Sequence, residues 1–324
     1  MPPPTWLHLF QRVFPSANHV LVRGPRPILV DTGFGSDFPA TETLVRAAGV
    51  EPERLALVVN THYHSDHVGG NYGFQTGHGV PVAAHRWEAG VVNRRDPEAC
   101  AAAWLDQPIE PYRVDRLLSD SDELNTGQVV LQVVHTPGHT LGHISLYAPQ
   151  DGVLIVGDVF HGDDVAWLNP FREGVGAIER ALETLDKLAR LRLTWACSGH
   201  GPPMEDPLAA LDAARRRYEG WLTAPDKVAW HGAKRIFAYH LMLCDGLPEA
   251  EVVPYLLGRA WFHDYAVHVF GLPPQDFVTP FLAEMQRSRA ADWRAGRLVA
   301  LTPYHAPPPG WARGATRVAE WGSL

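Results

Sequence analysis

The chain repeats one local pattern, in which an apolar run predicted to be a buried strand ends and a histidine or aspartate follows at the turn. The pattern occurs at His62 and His64, at His139, at Asp158 and at His200. Rigid strands of layered α/β proteins aim the residues at their ends toward one point, and ligand sites collect there. Each residue alone would more often be an ordinary polar group, but the four placements together predict a shared site.

The densest cluster lies in residues 60–70, which read Asn-Thr-His-Tyr-His-Ser-Asp-His-Val-Gly-Gly and directly follow an apolar run. Here His62, His64, Asp66 and His67 fall within six positions. Imidazole and carboxylate groups together bind zinc and other borderline divalent metals. Four such groups at this spacing favour a metal-binding loop over a set of ordinary surface histidines.

Three further residues near this pattern are open to two interpretations each. Asp31 ends a predicted strand in Leu-Val-Asp-Thr-Gly, so it is either a turn-forming residue or a carboxylate that orients a metal-binding histidine. His143 follows His139 by four residues but points into a predicted strand, which favours a structural role. His161, three residues past Asp158, is a weaker candidate for a group that polarises a substrate.

Composition limits the classes of function. A chain of 324 residues, 46% of them hydrophobic, suits one large globular domain plus a smaller one. Its net charge of −8 is not the basic field of a dedicated nucleic-acid binder. No apolar run approaches the ~20 residues of a membrane helix, and the first residues do not form a secretory signal. The three scattered cysteines predict reduced thiols, and we therefore expect a cytoplasmic protein.

The composition changes after Gly201-Pro202-Pro203. We therefore predict a catalytic domain over residues 1–206 and a smaller, mostly helical domain over 207–324. The second domain is predicted to contain helices over 207–222, 228–243, 248–257 and 277–295, and a strand that begins at Arg297. Helices followed by a small β-ribbon resemble a winged-helix appendage. The basic run Arg215-Arg216-Arg217 is interpreted as a solvated helix face rather than an RNA contact.

The complete set of residues closely resembles the metallo-β-lactamase superfamily, over roughly residues 5–205. The five landmarks are Asp31 in Leu-Val-Asp-Thr-Gly, the His62–His67 cluster, His139 in Thr-Pro-Gly-His-Thr, Asp158 in Val-Gly-Asp and His200 in Ser-Gly-His-Gly. The resemblance implies an α/β fold, the αββα sandwich, with a metal site at one edge between two mixed sheets.

The resemblance also implies a ligand set for two Zn²⁺ ions. One ion would be bound by His62, His64 and His139, the other by Asp66, His67 and His200, and Asp158 would bridge them. Iron or manganese would suit the same nitrogen and oxygen ligands. Asp66 would also be catalytic, because a carboxylate there can orient the nucleophile or pass a proton to the leaving group.

The expected activity is hydrolysis of a small ester, thioester or lactone by a metal-bound hydroxide. Asp158 is typical of the glyoxalase II, lactonase and ribonuclease-like branches, whereas zinc β-lactamases do not usually have an aspartate at this position. Two alternatives remain: a metal-dependent ribonuclease or phosphodiesterase, and a mononuclear iron enzyme of the persulfide dioxygenase type. We expect a small-molecule substrate and no membrane partner; nucleic acid is disfavoured, and the sequence leaves the oligomeric state open.

Overall fold

A computed structural model of the chain describes residues 3–174 and 176–322. Its first sheet contains six strands that follow one another in sequence order. They are β1 (Leu7–Phe10), β2 (His19–Val22), β3 (Ile28–Val30), β4 (Leu57–Val59), β5 (Val82–His85) and β6 (Arg116–Leu118). The first three strands pair antiparallel, and from β3 onward the pairing is parallel. The carboxyl ends of β3, β4 and β5 therefore lie at the same edge of the sheet.

The second sheet has five strands in the order β11-β10-β9-β8-β7. They are β7 (Glu123–Asn125), β8 (Val130–His135), β9 (Ile144–Ala148), β10 (Val153–Gly157) and β11 (Trp195–Ser198). All pairs are antiparallel except β10 with β11, which is parallel. Every residue of β9 and β10 is buried, because these central strands are covered on both faces.

The inner faces of the two sheets meet in one apolar core. Val20, Val30 and Val59 from the first sheet pack in the same cluster as Leu146 and Ile155 from the second. The helices of this region lie outside the sheets: α1 (Phe38–Ala47), α2 (Ser65–Val68), α3 (Asn71–His78), α4 (Arg86–Asn93), α5 (Ala102–Leu105) and α6 (Ala177–Leu188). The predicted αββα sandwich is confirmed.

Helix α6 shows how the outer layer is fixed by sequence. Its buried residues Ala177, Ala181, Thr184, Leu185 and Leu188 recur at helical spacing, so they line one face. That face packs in a cluster with apolar residues of β10 and β11. The layer therefore covers the outer side of the second sheet.

The C-terminal region consists of helices and a three-stranded sheet. The elements are α7 (Pro207–Leu222), α8 (Pro225–Leu243), β12 (Leu247–Pro248), α9 (Glu249–Leu257), α10 (Ala260–Asp264), α11 (Pro274–Arg287), β13 (Ala291–Arg294), β14 (Arg297–Ala300) and α12 (Trp311–Gly314). The sheet has the order β12-β14-β13 and is antiparallel. This confirms the predicted winged-helix-like arrangement.

The predicted helix over 277–295 is wrong at its end. Helix α11 ends at Arg287, Arg289 turns the chain with a φ of 58°, and residues 291–294 form β13. Ala295 and Gly296, with φ of 48° and 75°, then make a two-residue turn into β14. Two successive positive φ values suit the twist of a hairpin, but Ala-Gly is not the Asn-Gly sequence that signals such a turn.

The last described residues return to the sandwich. Phe14 forms an isolated β-bridge with Tyr304, and the Trp321 indole Nε1 donates to the carbonyl of Ile109 at 2.8 Å. The domain boundary at residue 206 stays a prediction. In the described part of the chain, no helix is both long enough and apolar enough to cross a membrane.

Candidate metal centre

The structure brings together all seven residues predicted to be metal ligands. They follow the ends of four strands: His62, His64, Asp66 and His67 after β4, His139 after β8, Asp158 after β10, and His200 after β11. Their donor atoms form two groups, which are linked by a third, and within each group the donor atoms lie within 4.8 Å of one another. The first group is His62, His64 and His139, the second is Asp66, His67 and His200, and the linking group is His62, His67 and Asp158. The edge at which the parallel strands end is therefore also the edge at which the site lies.

The first group is a triad of imidazoles. The Nδ1 atom of His64 lies 3.1 Å from Nε2 of His62 and 2.9 Å from Nε2 of His139. Burial, followed by the neighbouring imidazoles, lowers the pKa of His62 and of His64 well below the usual value. The rings are therefore neutral at pH 7 and present lone pairs to one point, which is the state a metal ligand requires.

The second group combines carboxylates with imidazoles. The Asp66 carboxylate lies 3.2 Å from Nε2 of His200 and 3.7 Å from Nε2 of His67. Asp158 lies between the two groups, with its oxygens 3.6 Å from His67, 3.5 Å from His200 and 4.0 Å from His139. One carboxylate thus faces donor atoms of both groups.

Two buried atoms at the centre test whether a cation fits. Within the described residues, Nε2 of His67 and Oδ1 of Asp158 have no hydrogen-bond partner. Burial would raise the pKa of Asp158, but the nearby His200 and His67 outweigh it and hold the pKa well below its usual range. An oxygen of a buried, ionised carboxylate that makes no hydrogen bond is costly unless a cation compensates it. The mixed nitrogen and oxygen donors suit a borderline divalent metal.

Asp31 fulfils both interpretations that the sequence left open. It turns the chain at the end of β3 with a left-handed φ of 59°. Its Oδ2 accepts a hydrogen bond from Nδ1 of His67 at 2.8 Å, and its Oδ1 accepts from the Thr61 amide at 2.8 Å. The Nδ1–H of His67 is thereby fixed, and its Nε2 is left as the lone pair that faces the centre.

The loop after β10 orients the first triad. Nδ1 of His139 donates to the carbonyl of Trp167 at 2.6 Å, which leaves Nε2 for the centre. The Trp167 ring stacks on His64 with centroids 5.6 Å apart and planes 15° apart. The sequence did not predict a role for Trp167, because its contact with His139 is made by a backbone carbonyl, which every residue has.

His143 is structural, as predicted. Its Nε2 accepts from the amide of Asp158 at 2.9 Å and its Nδ1 pairs with the Thr136 hydroxyl at 2.8 Å, so both ring nitrogens are engaged. His161 lies in the site cavity with its ring centroid 5.6 Å from that of His200. Burial lowers the pKa of His161 to about 4, so its ring is neutral near pH 7.

Gly199 of the Ser-Gly-His landmark is required by close packing. A Cβ atom at this position would lie 2.2 Å from Oδ1 of Asp158 and 2.6 Å from Cε1 of His67. Any side chain would therefore displace one of the two groups.

A cavity of about 830 Å³ opens onto the centre. Its inner wall includes His64, Asp66, His139, Asp158 and His200, and its outer wall includes residues of α8 and of the segment between α11 and β14. The C-terminal region therefore forms part of the site. The volume lies within the range of small-molecule binding sites.

Comparison with known proteins agrees with this geometry. The family model of the metallo-beta-lactamase superfamily matches residues 13–200. The chain belongs to the metallo-β-lactamase superfamily. As a member, it is a metal-dependent hydrolase that binds divalent metal through a histidine and aspartate cluster.

Two relatives and one solved structure illustrate the likeness. The chain is 32% identical over 197 residues to the acyl-coenzyme A thioesterase MBLAC2 of Gallus gallus. This alignment covers 53% of this chain and 68% of that protein. It is 30% identical over 122 residues to the hydroxyacylglutathione hydrolase of Maricaulis maris, covering 38% and 40%. A metallo-beta-lactamase family protein from Thermus thermophilus has a TM-score of 0.56 at 24% identity, covering 92% of this chain and 99% of that one. At this identity the last comparison indicates a shared fold only.

Proposed function

We propose that this protein is a dinuclear metallohydrolase that cleaves thioesters formed by a small acyl group and a thiol carrier. The observation that carries the proposal is the position of Asp158, whose carboxylate lies within 4.0 Å of donor nitrogens of both groups. The names of the relatives, an acyl-coenzyme A thioesterase and a hydroxyacylglutathione hydrolase, support a thioester substrate.

In this proposal His62, His64 and His139 would hold one zinc ion, Asp66, His67 and His200 would hold the other, and Asp158 would contribute to both. Bound divalent zinc supplies an activated water and polarises the carbonyl oxygen of the substrate. Asp66 lines the cavity and orients the attacking water. Asp66 would take up the proton that this water loses, and the water oxygen would bond to the carbonyl carbon. The acyl–sulfur bond would then break, the acyl group would leave as a carboxylate, and Asp66 would return the proton to the thiolate sulfur.

Hydrogen-bond acceptors around the centre hold its histidine rings in place before substrate binds. Asp31 and the carbonyl of Trp167 each accept from the Nδ1–H of a histidine in the centre, at 2.8 Å and 2.6 Å. Such partners hold the ring orientation and increase the basicity of the ligand nitrogen. The proposal therefore assigns these two residues to positioning.

The test combines metal analysis with a substrate panel. We expect two zinc equivalents per chain and hydrolysis of acyl thioesters in preference to a lactone, a phosphodiester and a β-lactam. Asp158→Ala should lose bound metal and activity together. Asp186→Ala is the control, since Asp186 is an exposed carboxylate paired with Arg215 on the surface. One iron and no zinc would overturn the dinuclear zinc assignment, and preferred cleavage of the phosphodiester would favour the ribonuclease alternative.

A further inference from the structure

The outer wall of the site cavity carries cationic side chains from the C-terminal region. Lys234 and Arg235 of α8 line the cavity, together with Arg289 from the turn between α11 and β13. Thr302, just after β14, lies on the same wall. The whole chain has a net charge of −8, so a cationic wall here is a local departure from the overall charge.

The Asp164 carboxylate pairs with two arginines. Arg235 hydrogen-bonds to one oxygen of Asp164, and Arg217 Nη1 bonds to the other at 2.5 Å. Arg217 also donates to the backbone carbonyl of Asp163. Both guanidinium groups are thus paired with the carboxylate of Asp164.

The charges around Glu284 do not balance. Lys234 Nζ lies 2.8 Å from Glu284 Oε1, but Arg287 binds the same carboxylate at 2.6 Å and 2.9 Å. Arg289 has no ion pair within the described part of the chain. Two cations therefore share Glu284, and Arg289, unpaired among the described residues, is a cation on the same wall as Lys234, so this part of the cavity wall carries net positive charge.

The left-handed backbone conformation of Arg289 is unusual for an arginine and points to a role for its side chain. Arg289 has a left-handed φ of 58° at the end of α11. Its amide donates to the carbonyl of Gln286, and that of Ala290 donates to Met285, both at 2.9 Å. Glycine is the usual residue in this helix-ending position because it adopts a left-handed φ without strain. An arginine here costs conformational energy, and this arginine is exposed and lines the cavity.

We propose that Arg289, Lys234 and Thr302 bind a phosphate group on the thiol carrier, so that the substrate is a thioester of a phosphorylated thiol. This inference rests on the proposed thioester hydrolase function. Guanidinium binds phosphate through a fork of two N–H groups, and an ammonium adds a point charge. The Thr302 hydroxyl makes no hydrogen bond within the described residues and supplies a further donor. A guanidinium that is unpaired in the described part of the chain, together with a lysine that shares its carboxylate with a second cation, suits a phosphate dianion.

The experiment uses substrates that differ only in the carrier. Butyryl-coenzyme A and S-butyrylpantetheine present the same thioester, but only the first carries phosphates, and S-butyrylglutathione carries carboxylates instead. Arg289→Gly is the main variant, because glycine relieves the left-handed backbone and the protein should stay folded. We expect the KM for butyryl-coenzyme A to rise by about tenfold with kcat unchanged. The KM for S-butyrylpantetheine should not change.

A matched pair controls for charge. Arg289→Glu should raise the KM for butyryl-coenzyme A further than Arg289→Gly does. Arg216→Glu should leave it unchanged, since Arg216 is an exposed arginine of α7 outside the cavity. Equal effects on both thioesters, or no effect of either Arg289 variant, would overturn the inference. So would a dependence on Arg289 that is as strong for S-butyrylglutathione.

Calorimetric titration of the metal-loaded protein with free coenzyme A and with pantetheine separates this inference from the proposed function. We expect coenzyme A to bind more tightly than pantetheine and to lose about tenfold in Kd in Arg289→Gly. If no thioester is cleaved while this difference persists, the proposed function fails and the phosphate site stands. If thioesters are cleaved but coenzyme A binds no better than pantetheine, the phosphate site fails and the proposed function stands.

Discussion

In the proposed dinuclear centre, replacement of Asp31 by asparagine should damage one metal site and spare the other. The Asp31 carboxylate accepts from the Thr61 amide through Oδ1 and from Nδ1 of His67 through Oδ2, each at 2.8 Å. Both contacts require an acceptor. Asparagine has almost the same shape and tolerates the left-handed φ of 59°, so the substitution changes hydrogen bonding more than backbone geometry.

The amide of Asp31→Asn has one acceptor where the native side chain has two. If its NH₂ faces Thr61, it meets another donor. If its NH₂ faces His67, it donates to Nδ1, and the ring proton moves to Nε2, the atom that faces Asp66 and Asp158. The first orientation replaces a buried hydrogen bond by a contact between two donors, at a cost of about 1.5–3 kcal/mol. The second reverses the bond to His67 and places its proton on the atom that must bind metal. Metal affinity at the His67 site should therefore fall by about 10–100-fold.

Competition with a chromogenic zinc chelator measures this effect. We expect one of two zinc equivalents to weaken by about 10–100-fold, while the equivalent held by the triad of His62, His64 and His139 keeps its affinity within about threefold. Asp186→Asn makes the same chemical change on an exposed carboxylate and should bind zinc as the native protein does. Native affinity for both equivalents in Asp31→Asn would refute the role of Asp31 in fixing the His67 tautomer.

Three other substitutions test the surroundings of the site. Gly199→Ala should abolish metal binding, because its Cβ would lie 2.2 Å from Oδ1 of Asp158; elemental analysis of folded protein checks this. Burial raises the pKa of Glu173 from 4.5 to about 7, so its contribution to stability is complete below pH 4.5 and is lost as pH rises through 7. Glu173→Gln should therefore gain up to about 3 kcal/mol relative to native protein between pH 5 and pH 8, measured by urea unfolding. Asp164→Asn weakens the ion pair with Arg235 and should lower the free energy of unfolding, by less than the ~3–5 kcal/mol of a fully buried pair, since both side chains are partly exposed.

The positions of the ligands could be predicted because each follows a strand whose apolar run is visible in the sequence. His139, Asp158 and His200 are far apart in the chain, yet all follow strands of one sheet, and sheet geometry alone brings their loops to one edge. The partners of these ligands could be predicted only in part. Asp31 could be predicted as a candidate because only aspartate and glutamate have a side-chain carboxylate. The partner at Trp167 is a backbone carbonyl, which every residue has, so the sequence does not mark it. The β13 hairpin was missed because its turn, Ala-Gly, lacks a sequence signal.

The two regions of the protein contribute different parts of the site, and the superfamily match covers only one of them. The sandwich supplies the ligand set, and it is also the region that the superfamily match covers, residues 13–200. The cationic outer wall of the cavity comes from α8, the α11–β13 turn and Thr302, all beyond that match. Metal binding can therefore be inferred from membership of the family, because the match covers the sandwich that carries the candidate ligands. Substrate choice cannot, because it depends on a cavity wall that the match does not include. In the proposed thioester hydrolase, the C-terminal region would therefore select the carrier of the substrate rather than its acyl group.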